Sequence, residues 1–219
     1  MTHDDFVVEP VDGLPEELPD GEVILWQGRP NWWALAWEAL NLPWVIAYFV
    51  LLTGWNFLSA VDQMPLGQAI GSGVPYLLMG LIVVGLLLIV GYIQARAALY
   101  TVTNRRIVMR VGAALTLTLN LPYNKISQAA LSRGRRGTGT IALETTGETR
   151  LGYLVCWPHV RPWYLSRPQP ALREIPDVET VAQIVSRAAK SSIFDQPKAI
   201  SGVSFGTEEE MFRFAEGAQ

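Results

Sequence analysis

Two histidines and one cysteine supply all the imidazole and thiol chemistry in this 219-residue chain. His3 stands in a polar head, and His159 follows Trp157-Pro158, so no Ser/His/Asp or Cys/His set comes together on the page. Cys156 stands alone, which removes an intrachain disulfide and the paired cysteine spacings of a zinc site. No glycine-rich phosphate cradle joins a strand to a helix. The residue inventory therefore points away from an enzyme and from a resident metal or cofactor.

Recognition chemistry is richer. In "CWPHVRPWYLSRPQP", Trp157, Trp163 and Tyr164 alternate with Arg161 and Arg167, while four prolines keep the segment out of regular helix or sheet. Trp, Tyr and Arg carry much of the energy of protein interfaces, because each joins a large apolar area to a directed polar end. These five residues and His159 are the candidate partner-binding set. The alternative is that one or both tryptophans plug a core and the prolines only route the chain. A second cluster, "SRGRRGTG", carries Arg133, Arg135 and Arg136, and "YTVTNRRIVMR" carries Arg105 and Arg106. These five are candidates for anionic lipid headgroups, where each basic side chain contributes about 1 kcal/mol; a solvated hairpin tip is the competing reading of the first cluster. In "NWWALAWEALN", Trp33 and Trp37 fall at helical spacing with Trp32 beside them, and Trp44 follows, a pattern suited to a membrane interface. Either a short surface helix or an N-terminal extension of a spanning helix accounts for it.

The elements that must position these groups are legible in charge and hydropathy. Residues 1–41 hold nine acids and one base, residues 96–190 hold 14 bases and five acids, and residues 191–219 hold five acids and two bases. An acidic head and tail flank a basic module. Between them, residues 42–60 and 74–93 are uncharged and long enough to cross a bilayer core of about 30 Å as helices. The connecting loop, residues 61–73, lacks Lys and Arg, whereas Arg96, Arg105, Arg106 and Arg110 follow the second run, so both termini are expected in the cytoplasm. Neither run contains an ionisable residue, which suits an anchor better than a transporter; Asn56 is the one intramembrane amide. The first 20 residues lack the basic start and apolar run of a signal peptide.

After Arg96 the pattern turns to alternation: "ALYTVTN", "RRIVMRVG", "LTLTLNLP", "YNKISQAAL", "TIALETT" and "TRLGYLVCW" read as strands, the last two as a hairpin around Gly147. "DVETVAQIVSRAAK", with Asp177 at its start and Val178, Val181, Ile184 and Val185 on one face, reads as a closing helix. "EVIL" before "WQGRP" is expected to add an N-terminal strand to the same sheet. The expected organisation is an acidic head (1–20), a strand and interfacial helix (21–41), a transmembrane helical hairpin (42–95), a cytoplasmic β-barrel or sandwich capped by a helix (96–190) and an acidic tail (191–219). A low pI, tethering and the lack of a recognition motif argue against nucleic acid.

At this level the chain resembles a known group. Spans followed by "YTVTNRRIVMR" and preceded by "ILWQGRPNWW" look like bacterial pleckstrin-homology-like (PH-like) domains beside transmembrane hairpins. The order "LPDGEVILWQGRP", two spans, "LNLPYNKI" and "TRLGYLVCWPHVRPWYLSRPQPALREIPD" is similar to the photosynthetic-complex assembly proteins of purple bacteria, which are encoded with the reaction-centre H subunit. That resemblance covers residues 18–189. It implies a non-catalytic, multi-pass protein of the inner or intracytoplasmic membrane, whose partners are reaction-centre and light-harvesting 1 subunits and the lipid bilayer. Bacteriochlorophyll would be met only through the client complex, His159 being the one side chain suited to its magnesium, and a homodimer through the hairpin is a further expectation. The alternative function is a lipid-sensing PH-like module with no photosynthetic client.

Overall fold

The computed structural model describes residues 18–113, 115–134, 137–146 and 152–194. Most of the acidic head and tail, the expected turn at Gly147, and Arg135 and Arg136 lie outside the described residues.

The described residues enter a sheet, leave it, and return to the same sheet. Strand β1 (Ile24–Gly28) pairs antiparallel with β2 (Leu99–Thr103), with Gly28 opposite Tyr100. Between them stand α1 (Trp32–Ala34), which runs on as a π-helical turn at Leu35–Ala39, then α2 (Leu42–Ala60) and α3 (Leu66–Ala97). Asn31 caps α1, its Oδ1 accepting from the backbone N–H of Trp33 and Ala34. The turn ends at Asn41, whose φ of 53° is the left-handed conformation that asparagine tolerates. The tryptophan segment is thus a helix of its own and not an extension of the first apolar helix.

Helix α2 matches the uncharged run, but α3 starts eight residues before the expected span, so the connection is five residues, 61–65, rather than 13. Hydropathy missed that first part because "LGQAIGSG" is uncharged yet weakly apolar; Pro65 starts the helix there. At 1.5 Å per residue the two helices run about 28 and 48 Å. Both are long and apolar enough to cross a membrane, and only 6% and 11% of their most apolar windows are buried, unlike a core helix of a soluble protein.

Three glycines on one face of α3 let its neighbours come close. A Cβ at Gly73 would lie 3.1 Å from Thr53 Cγ2, one at Gly80 2.9 Å from Phe49 Cβ, and one at Gly91 2.9 Å from Ala36 Cβ. Spacings of seven and 11 residues are close to whole numbers of turns, so the three share a face. Gly85 faces open space. Ser72 Oγ donates to Asn56 Oδ1 at 2.7 Å, so the one intramembrane amide joins α3 to α2.

The remaining elements form a two-sheet sandwich. One sheet is the meander β1–β2–β3–β4, with β3 at Arg106–Val111 and β4 at Leu117–Pro122. The other is β5 (Ile126–Arg133), β6 (Thr138–Thr145) and β7 (Ala171–Pro176). Alternation works as expected in β4, where Leu119 and Leu121 are buried and Thr118 and Asn120 exposed. Tyr100, Ile107, Met109, Leu143, Leu172 and Ile175 fill the core. Helix α5 (Val178–Phe194) closes it with Val178, Val181, Val185 and Ala188 on one stripe.

One expected strand is corrected. "TRLGYLVCW" does not pair with β6; its described part is a single helical turn, α4 (Tyr153–Cys156), which leaves Leu154 and Val155 exposed. The strand beside β6 is "ALREIP", which follows the proline-rich stretch and was not among the expected strands, because Ala171, Leu172 and Ile175 supply the apolar inner face that β6 needs.

Candidate functional site: a cleft between the tryptophan helix and the second sheet

The site is made by a slip in strand pairing. Gly139 opposes Ile175 and Ile141 opposes Leu172, so Arg173 and Glu174 together face the single residue Thr140. This is a β-bulge, which re-aims side chains, and Glu174 takes the left-handed φ of 47°, a strained value for a residue with a side chain. Two consequences follow. The Glu174 carbonyl accepts from Asn31 N–H at 2.8 Å, tying β7 to the cap of α1. Arg173 and Glu174 also line a cleft of about 630 Å³ together with Glu38, Arg133, Arg161, Trp163 and Tyr164. A smaller recess of about 260 Å³ shares Glu38 and Glu174 and adds Asn31, Trp33 and Trp37.

Glu174, Arg173 and Arg161 are each held in place by neighbours. Glu174 accepts hydrogen bonds from Thr138 and Thr140 hydroxyls at 3.0 and 3.2 Å, and burial pushes its carboxyl above the usual range. Arg173 is 6% exposed and donates to the Val160 carbonyl at 3.1 Å, while its Nε has no partner. Burial lowers its pKa, opposed chiefly by the charge of Glu174. Arg161 donates to Gln169 Oε1 at 3.1 Å and lies over the Tyr164 ring, 4.2 Å from its centre. Trp163 is 88% exposed at a φ of 69°.

Beneath the cleft a polar chain crosses the core. Arg173 N–H donates to the Tyr100 hydroxyl, and that oxygen lies 2.6 Å from His159 Nδ1. The hydroxyl and Nδ1 share one hydrogen bond whose direction follows the tautomer of the ring. His159 Nε2 has no partner, and burial with the nearby Arg173 charge lowers the imidazole pKa to about 3. Desolvation raises the Tyr100 hydroxyl in the opposite direction.

The expected partner-binding residues now separate. His159 is corrected: it is 1% exposed and lies in the core, not on a surface open to a partner. Arg161, Trp163 and Tyr164 come together on the cleft; Arg167 is exposed and Trp157 is 39% exposed beside α4. Neither tryptophan plugs the core. Trp32 packs edge-on to Trp33 and to Tyr92 of α3, Trp33 stacks on Trp37, and Trp44 is 75% exposed on α2.

The arginines also divide. Arg106 is paired at 2.8 Å with Glu22, whose side chain is 2% exposed and also accepts from Thr103. Strand register places Arg110, not Arg105 or Arg106, opposite Leu99 at the end of α3, and the turn bearing the latter pair lies one strand length, about 16 Å, away. Arg133 pairs with Glu179 at 2.6 Å on the surface. Arg29 donates to the Arg96 carbonyl, closing the junction between β1 and the end of α3. Glu38, Arg173 and Glu174 were not singled out in the sequence. The visible signal was a charged pair inside an otherwise apolar "ALREIP".

A model of the bacterial PH domain matches residues 39–189, taking in the helical pair as well as the sandwich. The chain belongs to the bacterial PH-domain family. A Rhodobacter capsulatus protein known as an uncharacterised 23.7 kDa protein in the puhA 5′ region is 40% identical over 210 residues, 94% of this chain and 97% of that one. A crystal structure of a DUF1696-family protein with a pleckstrin-homology domain, from Shewanella loihica PV-4, aligns at 13% identity with a TM-score of 0.28, over 42% of this chain and 71% of that chain. The PH-domain protein thus presents, on one side, two helices of spanning length and, on the other, a sandwich whose second sheet opens a charged cleft toward the tryptophan helix.

Proposed function

We propose that this PH-domain protein is a non-catalytic membrane factor that assists assembly of the photosynthetic reaction centre and its light-harvesting 1 antenna. The carrying observation is the 40% identity, end to end, with a protein encoded beside puhA in a photosynthesis gene region. The exposed apolar faces of α2 and α3 support insertion in the inner or intracytoplasmic membrane, and the positive charge after α3 supports cytoplasmic termini. Burial of both Cys156 and His159 supports a role without catalysis, since neither reaches a substrate. Reaction-centre and light-harvesting 1 subunits are the clients; the exposed apolar side chains of α4 and the loop after it, Leu154, Trp163 and Leu165, offer the cytoplasmic contact surface.

Deleting the gene in a photosynthetic host is expected to lower the assembled core complex, read by its near-infrared absorbance, while pigment synthesis continues. Unchanged complex levels would remove the assembly role. Affinity isolation in mild detergent is expected to bring down core-complex subunits, and their loss in a Trp163→Ala, Leu165→Ala variant locates the contact.

A further inference from the structure

Strand β5 pairs with β6 along one edge, and among the described residues no backbone group of residues 127–133 bonds outside that ladder. At the other side of the same sheet β7 is covered, since the Ala171 N–H donates to the His159 carbonyl and the Glu174 carbonyl accepts from Asn31. Helix α5 also stops short of β5. Leu131 is 42% exposed, whereas Ile141, opposite it on β6, is 1% exposed. A groove of about 340 Å³ therefore runs between β5 and α5 along Tyr123, Ile126, Ala129 and Val185, and a recess of about 480 Å³ continues it past Leu131 to Arg133 and Arg187. An open strand edge beside an apolar groove suits an extended peptide, whose backbone adds to the ladder while alternate side chains fill the groove. We propose that the occupant is residues 208–214 of this chain, "EEEMFRF", added as a strand antiparallel to β5. This goes beyond the assembly reading and does not depend on it.

Reach, pattern and charge select this segment. Arg133, at the end of β5, pairs with Glu179 at the start of α5, while Ala189 and Lys190 line the groove beside Tyr123 and Ile126, so α5 runs antiparallel to β5. The chain thus leaves Phe194 near the start of β5. Residues 195–207, outside the described residues, can span about 43 Å when extended, against about 26 Å for the eight residues of β5. The following segment can therefore begin at Arg133 and run back along the strand. Ala129 and its β6 partner Leu143 face the core, so a residue set opposite Ala129 also faces α5. With Phe212 placed there, Phe212 lies beside Val185 and Phe214 reaches toward Tyr123 and Ile126. Glu208 then falls opposite Arg133, and Glu210 opposite Leu131, beside the exposed Arg187 and Lys190. On the outer face Arg213 falls opposite Gln128, next to the exposed Glu144 of β6. A shift of one residue turns both phenylalanines outward, and a shift of two takes Arg213 away from Glu144 or carries Phe214 past the start of β5. Seated in this register, the segment shields β5 from strands of other chains, and a partner strand gains the groove only by displacing it.

Disulfide trapping in the full-length protein, with Cys156→Ser to remove the native thiol, tests the register. Ala130→Cys with Met211→Cys, directly opposite each other, is expected to crosslink within one chain about tenfold faster than Ala129→Cys with Met211→Cys, whose side chains leave opposite faces of the sheet. Glu210→Lys, added to the first pair, is expected to slow trapping about fivefold, the effect of an exposed charge pair. Arg187→Glu with Lys190→Glu in that same chain is expected to restore most of the rate, which a general disturbance of the fold would not do. Hydrogen exchange reads the same occupancy without added thiols: the β5 amides are expected to exchange about tenfold faster in Phe212→Ser, Phe214→Ser than in the wild type, as when a strand that covers them nine parts in ten is removed. Equal trapping of the two cysteine pairs, crosslinks only between two chains, no rescue by charge reversal, or unchanged exchange in β5 would overturn the proposal.

Discussion

Acidification should weaken the sandwich through His159. The imidazole is enclosed by Tyr100 from β2 and by Arg173 from β7, with Glu174 next along that strand, and its pKa falls to about 3 against an ordinary 6.5. Below pH 6.5 the unfolded chain takes up a proton that the folded chain refuses until about pH 3. Stability is therefore complete above pH 6.5 and declines as pH falls, by about 1.4 kcal/mol per unit once well below 6.5. Between pH 7 and 5 the loss is about 2 kcal/mol, or about 4–8 °C in Tm for a protein of this size. Glu174 acts with the opposite sign: its raised pKa favours the folded state as pH falls toward 4.5, and so reduces the observed slope at the acid end. Thermal unfolding in detergent, followed by near-ultraviolet circular dichroism so that the sandwich aromatics report, gives the profile. His159→Asn, whose side-chain amide can take the place of Nδ1 as hydrogen-bond partner of the Tyr100 hydroxyl, is expected to flatten the profile between pH 7 and 5. If the variant keeps the full wild-type slope, the acid sensitivity comes from other groups and the assigned burial of a neutral imidazole is wrong.

The other predictions concern the junctions. Arg106→Gln strands the buried Glu22 carboxylate and should destabilise the sandwich by about 3 kcal/mol, read as a lowered Tm; the double variant with Glu22→Gln should recover part of it. Gly80→Leu drives a side chain into Phe49 and should separate α2 from α3, measured as lost disulfide trapping between cysteines placed on the two helices. Asn56→Leu removes the Ser72 hydrogen bond and is expected to cost about 0.6 kcal/mol in detergent-mediated unfolding, the usual worth of such a bond between membrane helices.

Local pattern carried some of this into the sequence and long-range pairing carried the rest out of reach. The first apolar helix is legible because 19 uncharged residues leave little other choice, and β4 because Leu and Thr alternate. The PH-like character was legible in "YTVTNRRIVMR", a hairpin directly after an apolar run. Strand β7 was hidden because its charged pair occupies a bulge, where the rule of alternation does not hold. His159 looked like a loop residue because its partner Tyr100 is 59 positions away, and nothing local announces a buried hydroxyl at that distance. Glu38 was not singled out because only the fold brings it to the same cleft as Arg161 and Arg173.

The path of the chain has a consequence for how such a protein would hold a client. The helical pair is an insertion between two adjacent strands of one sheet, not a tether attached to a free-standing domain. Gly28 pairs with Tyr100, Arg29 reaches the Arg96 carbonyl, and Asn31 N–H reaches Glu174, so three contacts fix the sandwich to the helices within a few residues of the first helical turn. A flexible linker would let the module sample many orientations, and binding at both levels would then lose the entropy of that search. Here the entropy is already lost on folding. A client engaged by α2 and α3 therefore meets the α4 surface and the cleft at a fixed height and angle. Inserting a flexible Gly-Ser segment after Pro30 should leave membrane insertion intact while weakening client capture, because it relaxes that geometry without touching any contact residue. Undiminished capture would show that the two surfaces act independently.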